Sequence, residues 1–484
     1  MILFYILTMG KTCFFGFCAA ALLFAAACSN EEVFTAERGA VFSFSSDTIR
    51  FDTVFTTIGS STKTFVVYNR NGKGLRLKDV RLRDGESGFR MNLDGQYGKE
   101  FRDVEVYGGD SLFCFVEVTL GSQGSDLPVM VRDEIVFTLE SGEVQRVCLE
   151  AYGQDAIMLH SPTVAENTTF EGGRPYVIYG VLTVEEGACL TLAPGTSLYF
   201  HADGYVDCYG SICADGAEGV ITLRGDRLDK MFWYLPYDRL DNQWQGIRLN
   251  ATSRGSFFRN VDIHGGSFGV WAEGAEDGEG GRKLTMLNSV IHNVGGNGLT
   301  LTNCEALVGN CQISNCRGNC VEVRGGSCVF DFCTIAQFCP WTAERGCALS
   351  FSNEKEDGEY GALQGLEFTN CIVTGYGNDE VYGSTVEGSD AAFNFSFRNC
   401  LLCTPEPMSY TDNFIDCIYQ TENQSENFLN LDIENFIYDF RLTENSTARG
   451  RGTTLGGLLD LYPTDRLGTV RNAESVDVGC YQFQ

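Results

Sequence analysis

Proline is scarce in this sequence, at 9 of 484 residues, while glycine supplies 56. With 35 Phe and 20 Tyr, that composition excludes a helical bundle and points to a turn-rich, aromatic β protein. Basic residues are few as well: 35 Lys and Arg stand against 64 Asp and Glu, a formal charge of -29. This balance excludes nucleic acid and anionic membrane surfaces as natural partners, and the acidity otherwise serves solubility. After residue 28 no apolar run is long enough to span a bilayer. The sequence has no HExxH or Walker-type motif. It also lacks the paired CxxC or His spacing of a zinc site, so no metal is assigned. What is present is ample apolar material, 44% of residues, enough for cores in two or more domains.

The amino terminus has the form of a targeting segment: a basic residue, Lys11, then an apolar stretch over residues 14–27. Translation starts at Met1 or at Met9, which stands directly before Gly10-Lys11. The stretch ends Leu23-Phe24-Ala25-Ala26-Ala27-Cys28, which resembles the cleavage box of bacterial lipoproteins. That resemblance implies that Cys28 becomes the acylated first residue of the mature chain. Ala25 departs from the usual aliphatic residue there, and small residues before Cys28 also suit ordinary signal cleavage. The pair Glu31-Glu32 resembles the export signal of Bacteroidetes surface lipoproteins, which implies an outer-membrane anchor and exposure at the cell surface. Acyl chains anchor a protein without any transmembrane helix.

Of 21 cysteines, Cys13 and Cys18 fall in the signal and Cys28 would carry lipid. The densest group of the others lies between residues 304 and 417, at spacings tied to a repeat, and is expected to be reduced and buried. An oxidising envelope would otherwise suggest disulfides.

Residues 1–27 are thus read as signal peptide, 28–40 as tether, 41–156 as a β-sandwich and 157–484 as a repeat domain. In the sandwich, short β-like runs alternate with turns at 51–55, 63–69, 75–82, 101–106, 112–120, 135–139 and 144–151. The order DTVFTTIGSSTKTFVVYNRNGKGLRLKDVRL, GDSLFCFVEVTL and IVFTLESGEVQRVCLEAYG resembles the immunoglobulin-like domains that precede a β-helix in Bacteroidetes surface lipoproteins. The resemblance implies a spacer that holds the following domain away from the membrane.

Beyond residue 156 one box recurs: an apolar residue, any residue, Asn or Asp, then a small or apolar residue. Its polar positions are Asn260, Asn288, Asn310, Asp331, Asn370, Asn399 and Asp416. A second box tracks it at Val270, Leu299, Val321 and Leu349, with polar insertions at 273–283 and 353–364. Stacked Asn and stacked apolar positions at a period near 22 residues, set by the Asn288–Asn310 interval, are what a right-handed parallel β-helix requires. Inward Asn side chains at the turns would hydrogen-bond along the stack. RPYVIYGVLTVEEGACLTLAPGTSLYFHADGYVDCYGSICADG resembles the opening coils of bacterial β-helix proteins of the pectate-lyase-like superfamily, and SVDVGCYQFQ resembles their closing segment.

Many β-helix proteins act on acidic polysaccharides with carboxylates, calcium and a basic group, or with paired acids. Candidates for such a groove are Asp262, His264, His292, Glu322, Arg324 and Asp331. Exposed strand faces carry such residues anyway, and Asp331 equally suits a turn. The segment 224–245 is more distinctive, because Trp233, Tyr234, Tyr237 and Trp244 stand beside hydrogen-bonding residues, including Asp238, as sugar rings require. It equally suits a structural clasp. The reading that results is an all-β, lipid-anchored surface protein with an immunoglobulin-like sandwich and a β-helix that binds a glycan or a protein partner. The rivals are a polysaccharide lyase or hydrolase acting across Asp262, His292 and Glu322, and an architectural subunit or adhesin. No cofactor is expected, with calcium entering only under the lyase reading.

Overall fold

The computed structural model describes residues 33–274, 281–339, 344–354, 361–386, 388 and 390–484. The targeting segment, Cys28 and parts of both polar insertions lie outside the described residues. The chain divides into two compact units: 33–122 with 129–153, and 123–128 with 154–484. Among the described residues no helix is long and apolar enough to cross a membrane.

The first unit is a sandwich of two five-stranded sheets. Ser43–Phe44, Lys63–Tyr68, Ser111–Val118, Phe89–Leu93 and Gln96–Gly98 form one sheet. Thr48–Phe55, Val144–Gln154, Val129–Leu139, Leu75–Leu82 and Glu100–Val106 form the other. Period-two alternation builds the core: Leu112, Cys114, Val116 and Val118 point inward, while Phe113 and Phe115 are exposed. Rings from the two sheets meet there, Phe65 lying 6.3 Å from Phe137 in an edge-on contact. All seven segments read as strands lie on strands. The hairpin Phe89–Leu93 with Gln96–Gly98 is an addition. Its turn is Asp94-Gly95, with φ of 48° and 85°, the conformation an Asp-Gly pair favours between antiparallel strands.

The second unit is a right-handed parallel β-helix. An 11-stranded parallel sheet and a folded 17-stranded sheet run through successive coils. Ile263, Ile291, Ile313, Ile335, Val373 and Leu402 pair coil to coil and are buried. Val270, Leu299, Val321 and Leu349 do the same, as the second sequence box predicts. A third row stacks Phe330, Phe368, Phe397 and Phe414 at 4.6, 4.9 and 5.1 Å, close to the strand spacing. One coil could not bury these faces; each is covered by its neighbours.

The Asn box marks a turn. Asn260, Asn288, Asn310, Asn370, Asn399 and Asp416 all take positive φ, a conformation Asn tolerates well. Asp331 does not belong to that row. Phe332, with φ 52°, occupies the left-handed position, and Asp331 ends the preceding strand opposite Gly309 and Thr369. There it is buried and accepts a hydrogen bond from the Tyr462 hydroxyl at 3.3 Å. Bonding along the Asn stack is sparse: Asn310 donates to Asn288 at 2.9 Å, but Asn310, Asn370 and Asn399 also donate to the carbonyls of Thr464, Thr453 and Arg451. The turn residues therefore hold the C-terminal segment. Cys311, Cys333, Cys371, Cys400 and Cys417 follow the turns, and these are among the 18 cysteines of the described residues that form no disulfide.

The closing segments decide where the outer face of the 11-stranded sheet stays open. Over its later coils Phe428, Phe440, Val478 and Tyr481 cover Ala336, Ile372 and Leu401 in an apolar cluster. Earlier coils present polar side chains at the same positions, and the boundary between the two regions is a cleft.

Candidate functional site

Strand Val261–His264 buries Val261 and Ile263 and turns Asp262 and His264 to the outer face of the 11-stranded sheet. One coil on, His292 is the register partner of His264, and the imidazoles stack at 4.7 Å. Asp262 Oδ1 lies 2.7 Å from His264 Nδ1 and 3.3 Å from His292 Nε2. His264 Nε2 bonds Asp238 Oδ1 at 3.0 Å, and Arg224 pairs with the same carboxylate. The ligating atoms of Asp262, His264 and His292 lie within 4.8 Å of one another, so these three side chains could hold a metal ion.

The charges of the cluster support one another. Burial opposes ionisation of Asp238, but the His264 hydrogen bond and the Arg224 charge outweigh it and hold this carboxyl at about 2. Asp262 is held well below the ordinary carboxylate range: burial again opposes, and the neighbouring His264 and His292 prevail. For His264, burial disfavours the charged ring, while the Asp262 charge and the bonds to both carboxylates push it up to about 9.

The cluster opens into a cleft of about 330 Å³, whose lining includes Asp238, Asp262, His292, Gln312, Tyr438 and Arg466. Asn315, 2% exposed, also lines it, and its Oδ1 finds no hydrogen-bond partner among the described residues. The same holds for Arg466 Nε. Both atoms are themselves shut off from solvent, buried polar groups on residues of the cleft wall.

The loop that carries Asp238 also carries the aromatic group. Lys230–Phe232 and Leu235–Pro236 form a small hairpin with Trp233, 87% exposed, between them. Tyr234 is exposed beside it, its ring 5.3 Å from Trp233 and 5.8 Å from Phe232. Tyr237 is half-buried under the Arg227 guanidinium at 3.9 Å. Trp244 is not a ligand-facing residue. It is 0% exposed, stacks on Phe200 at 4.4 Å and donates its Nε1–H to the His264 carbonyl at 2.8 Å. Its ring is core, and it anchors the strand bearing the cluster.

Glu322 and Arg324 lie elsewhere. Strand Val321–Asp331 belongs to the 17-stranded sheet, so the groove read across Asp262, His292 and Glu322 does not form. Glu322 accepts from Asn297 at 2.9 Å, Asn319 at 3.4 Å and Arg324 at 3.2 Å, a clasp between coils. Sequence reading missed two partners of the cluster, Arg224 and Asp238. Asp238 stands in the distinctive loop, but its contact with His264 joins residues 26 apart and leaves no local signal.

Residues 245–435 match the family described as right handed beta helix region. No curated protein matches the sequence. Among solved structures, the chain is similar to the catalytic domain of a GH87 alpha-1,3-glucanase in complex with tetrasaccharides. Identity there is 9%, over 74% of this chain and 90% of that one, at a TM-score of 0.22. Dex49A from Penicillium minioluteum aligns at 11% identity over 74% of this chain and 69% of its own, TM-score 0.18. A family 123 glycoside hydrolase from Clostridium perfringens aligns at 6% identity over 25% of this chain, TM-score 0.18, and the match spans only 30% of that hydrolase. Similarities at this level speak to neither activity nor substrate.

Proposed function

We propose that the β-helix binds an extracellular glycan in the cleft beside Asp238, Asp262 and His292. The observation that carries this reading is the cleft itself, lined by the hydrogen-bonding side chains of Asp238, Asp262, His292, Gln312, Tyr438 and Arg466. The exposed Trp233 and Tyr234, on the loop that supplies Asp238, add flat faces on which a sugar ring can stack. Binding is favoured over hydrolysis because Asp238 and Asp262 are joined through His264, both of whose ring nitrogens they bond. The acid pair of a glycosidase instead faces across an open gap that the scissile bond enters.

The lipoprotein-like box at residues 23–28 supports an outer-membrane anchor through acylated Cys28, with Glu31-Glu32 directing the protein to the surface. The sandwich, which resembles an immunoglobulin-like module, would serve as the spacer of such a protein. The deciding experiment exposes the chain from Ser29 onward to a polysaccharide panel and follows both binding and new chain ends. Binding without cleavage, weakened by Trp233→Ala and by His292→Ala, is expected. New chain ends that disappear in His292→Ala would make the cleft catalytic and overturn the binding reading.

A further inference from the structure

We propose that Asp262, His264 and His292 bind a divalent transition-metal cation of the zinc class, with Asp238 as the residue that positions His264. The proposal does not rest on the glycan reading, because it concerns the cation alone. Two imidazoles and one carboxylate form a three-ligand set that leaves coordination positions open. Metal–ligand bonds of about 2.0–2.1 Å place neighbouring ligand atoms on the order of 3 Å apart. Asp262 Oδ1 stands 2.7 Å from His264 Nδ1 and 3.3 Å from His292 Nε2, in that range.

The surroundings have the form that accompanies a metal-bound imidazole. The second nitrogen of His264 bonds Asp238 at 3.0 Å, and Arg224 holds Asp238, so Nδ1 is the nitrogen turned toward Asp262 and His292. Trp244 Nε1 grips the His264 carbonyl at 2.8 Å, and both histidines sit at paired positions of adjacent strands. The donors are therefore fixed by sheet rather than by loop. When a cation enters, the proton that His264 Nδ1 shares with Asp262 leaves. Two nitrogen donors exclude calcium, which takes six to eight oxygens.

A second observation points the same way. Asn315 lines the same cleft, is 2% exposed, and its Oδ1 is unpartnered among the described residues. It is an acceptor suited to a water carried by the cation.

The test is calorimetric titration of ZnCl2, with no glycan present, into the chain from Ser29 onward. A Cys148→Ser background removes the exposed thiol. One equivalent of Zn2+ is expected, with no response to CaCl2. His292→Ala and Asp262→Asn should each weaken Zn2+ binding more than about tenfold, and Asp238→Asn by about ten- to a hundredfold, as outer partners of ligating histidines do. Co2+ should give visible absorption bands that His292→Ala removes. His160→Ala/His201→Ala, which deletes the other two histidines, should bind as tightly as the parent. Circular dichroism establishes that each variant is folded. Absence of stoichiometric Zn2+ binding, or unchanged affinity in folded His292→Ala or Asp262→Asn, overturns the proposal. Trp233→Ala separates the two readings, since it should lose sugar binding and keep the cation.

Discussion

Trp233 and Trp244 lie in one stretch of sequence and have opposite surroundings, 87% and 0% exposed. The ring of Trp244 fills the space beside Phe200, so Trp244→Ala should destabilise the β-helix by about 3–5 kcal/mol, visible as a lower guanidinium midpoint. Trp233→Ala should change stability by no more than about 0.5 kcal/mol. Equal losses for the two would contradict the assignment of core and surface. Asp331 offers a pH test. Burial pushes its carboxyl from 3.8 up to about 6, so the folded state holds a proton that the unfolded chain has released. Its contribution is complete below about pH 4 and is lost as pH rises through 6, a change of up to about 3 kcal/mol. Asp331→Asn should therefore stabilise the protein at pH 8 and flatten the fall in stability between pH 4 and 6; a variant that loses stability at pH 8 would refute this.

At the scale of elements, the Asn turns explain how the helix is closed along its side. Asn370 donates to the Thr453 carbonyl at 2.8 Å and accepts from the Thr453 amide at 2.7 Å, at φ 56°. Asn370→Ala loses both bonds and places an ordinary side chain in the left-handed region, at a cost of about 2 kcal/mol or more. Asn370→Gly loses only the bonds and should fall between Ala and the parent. Limited proteolysis should cut residues 449–484 faster in both, and an unchanged cleavage rate would show that the turn does not hold this segment. Gly309 meets the same segment: a Cβ there would lie 2.3 Å from the Tyr462 ring. That row is written in the sequence as an Asn period, but its use is not. The box motif shows that Asn is needed at a turn, whereas its partner, as with Asn310 and Thr464, lies 154 residues away.

For the whole molecule, two predictions concern chemistry outside the cleft. The 18 cysteines that follow Cys28 form no disulfide among the described residues, and most sit in the core, so alkylation of unreduced protein should modify all of them after unfolding and few before it. Mass spectrometry showing several bridges between residues 304 and 417 would refute this. Cells fed labelled palmitate should transfer label to the protein, and Cys28→Ser should abolish it; label retained in that variant would overturn the proposed anchor.

The fold was legible because stacking preserves register. In a parallel β-helix a position in the repeat becomes a row in space, so the spacing of Asn288 and Asn310, or of Leu299 and Val321, already states which residues touch. The same alternation turned Asp262 and His292 to the outside of their strands. Glu322 was misplaced because alternation tells inside from outside but not which of the sheets a strand joins. The cleft itself was decided by tertiary structure alone. Asp238 reaches His264 through a loop, and Tyr438 and Arg466 arrive from the closing segments, contacts for which the repeat carries no term. Local periodicity determines the coil; only long-range packing determines which of its faces is covered and which stays open.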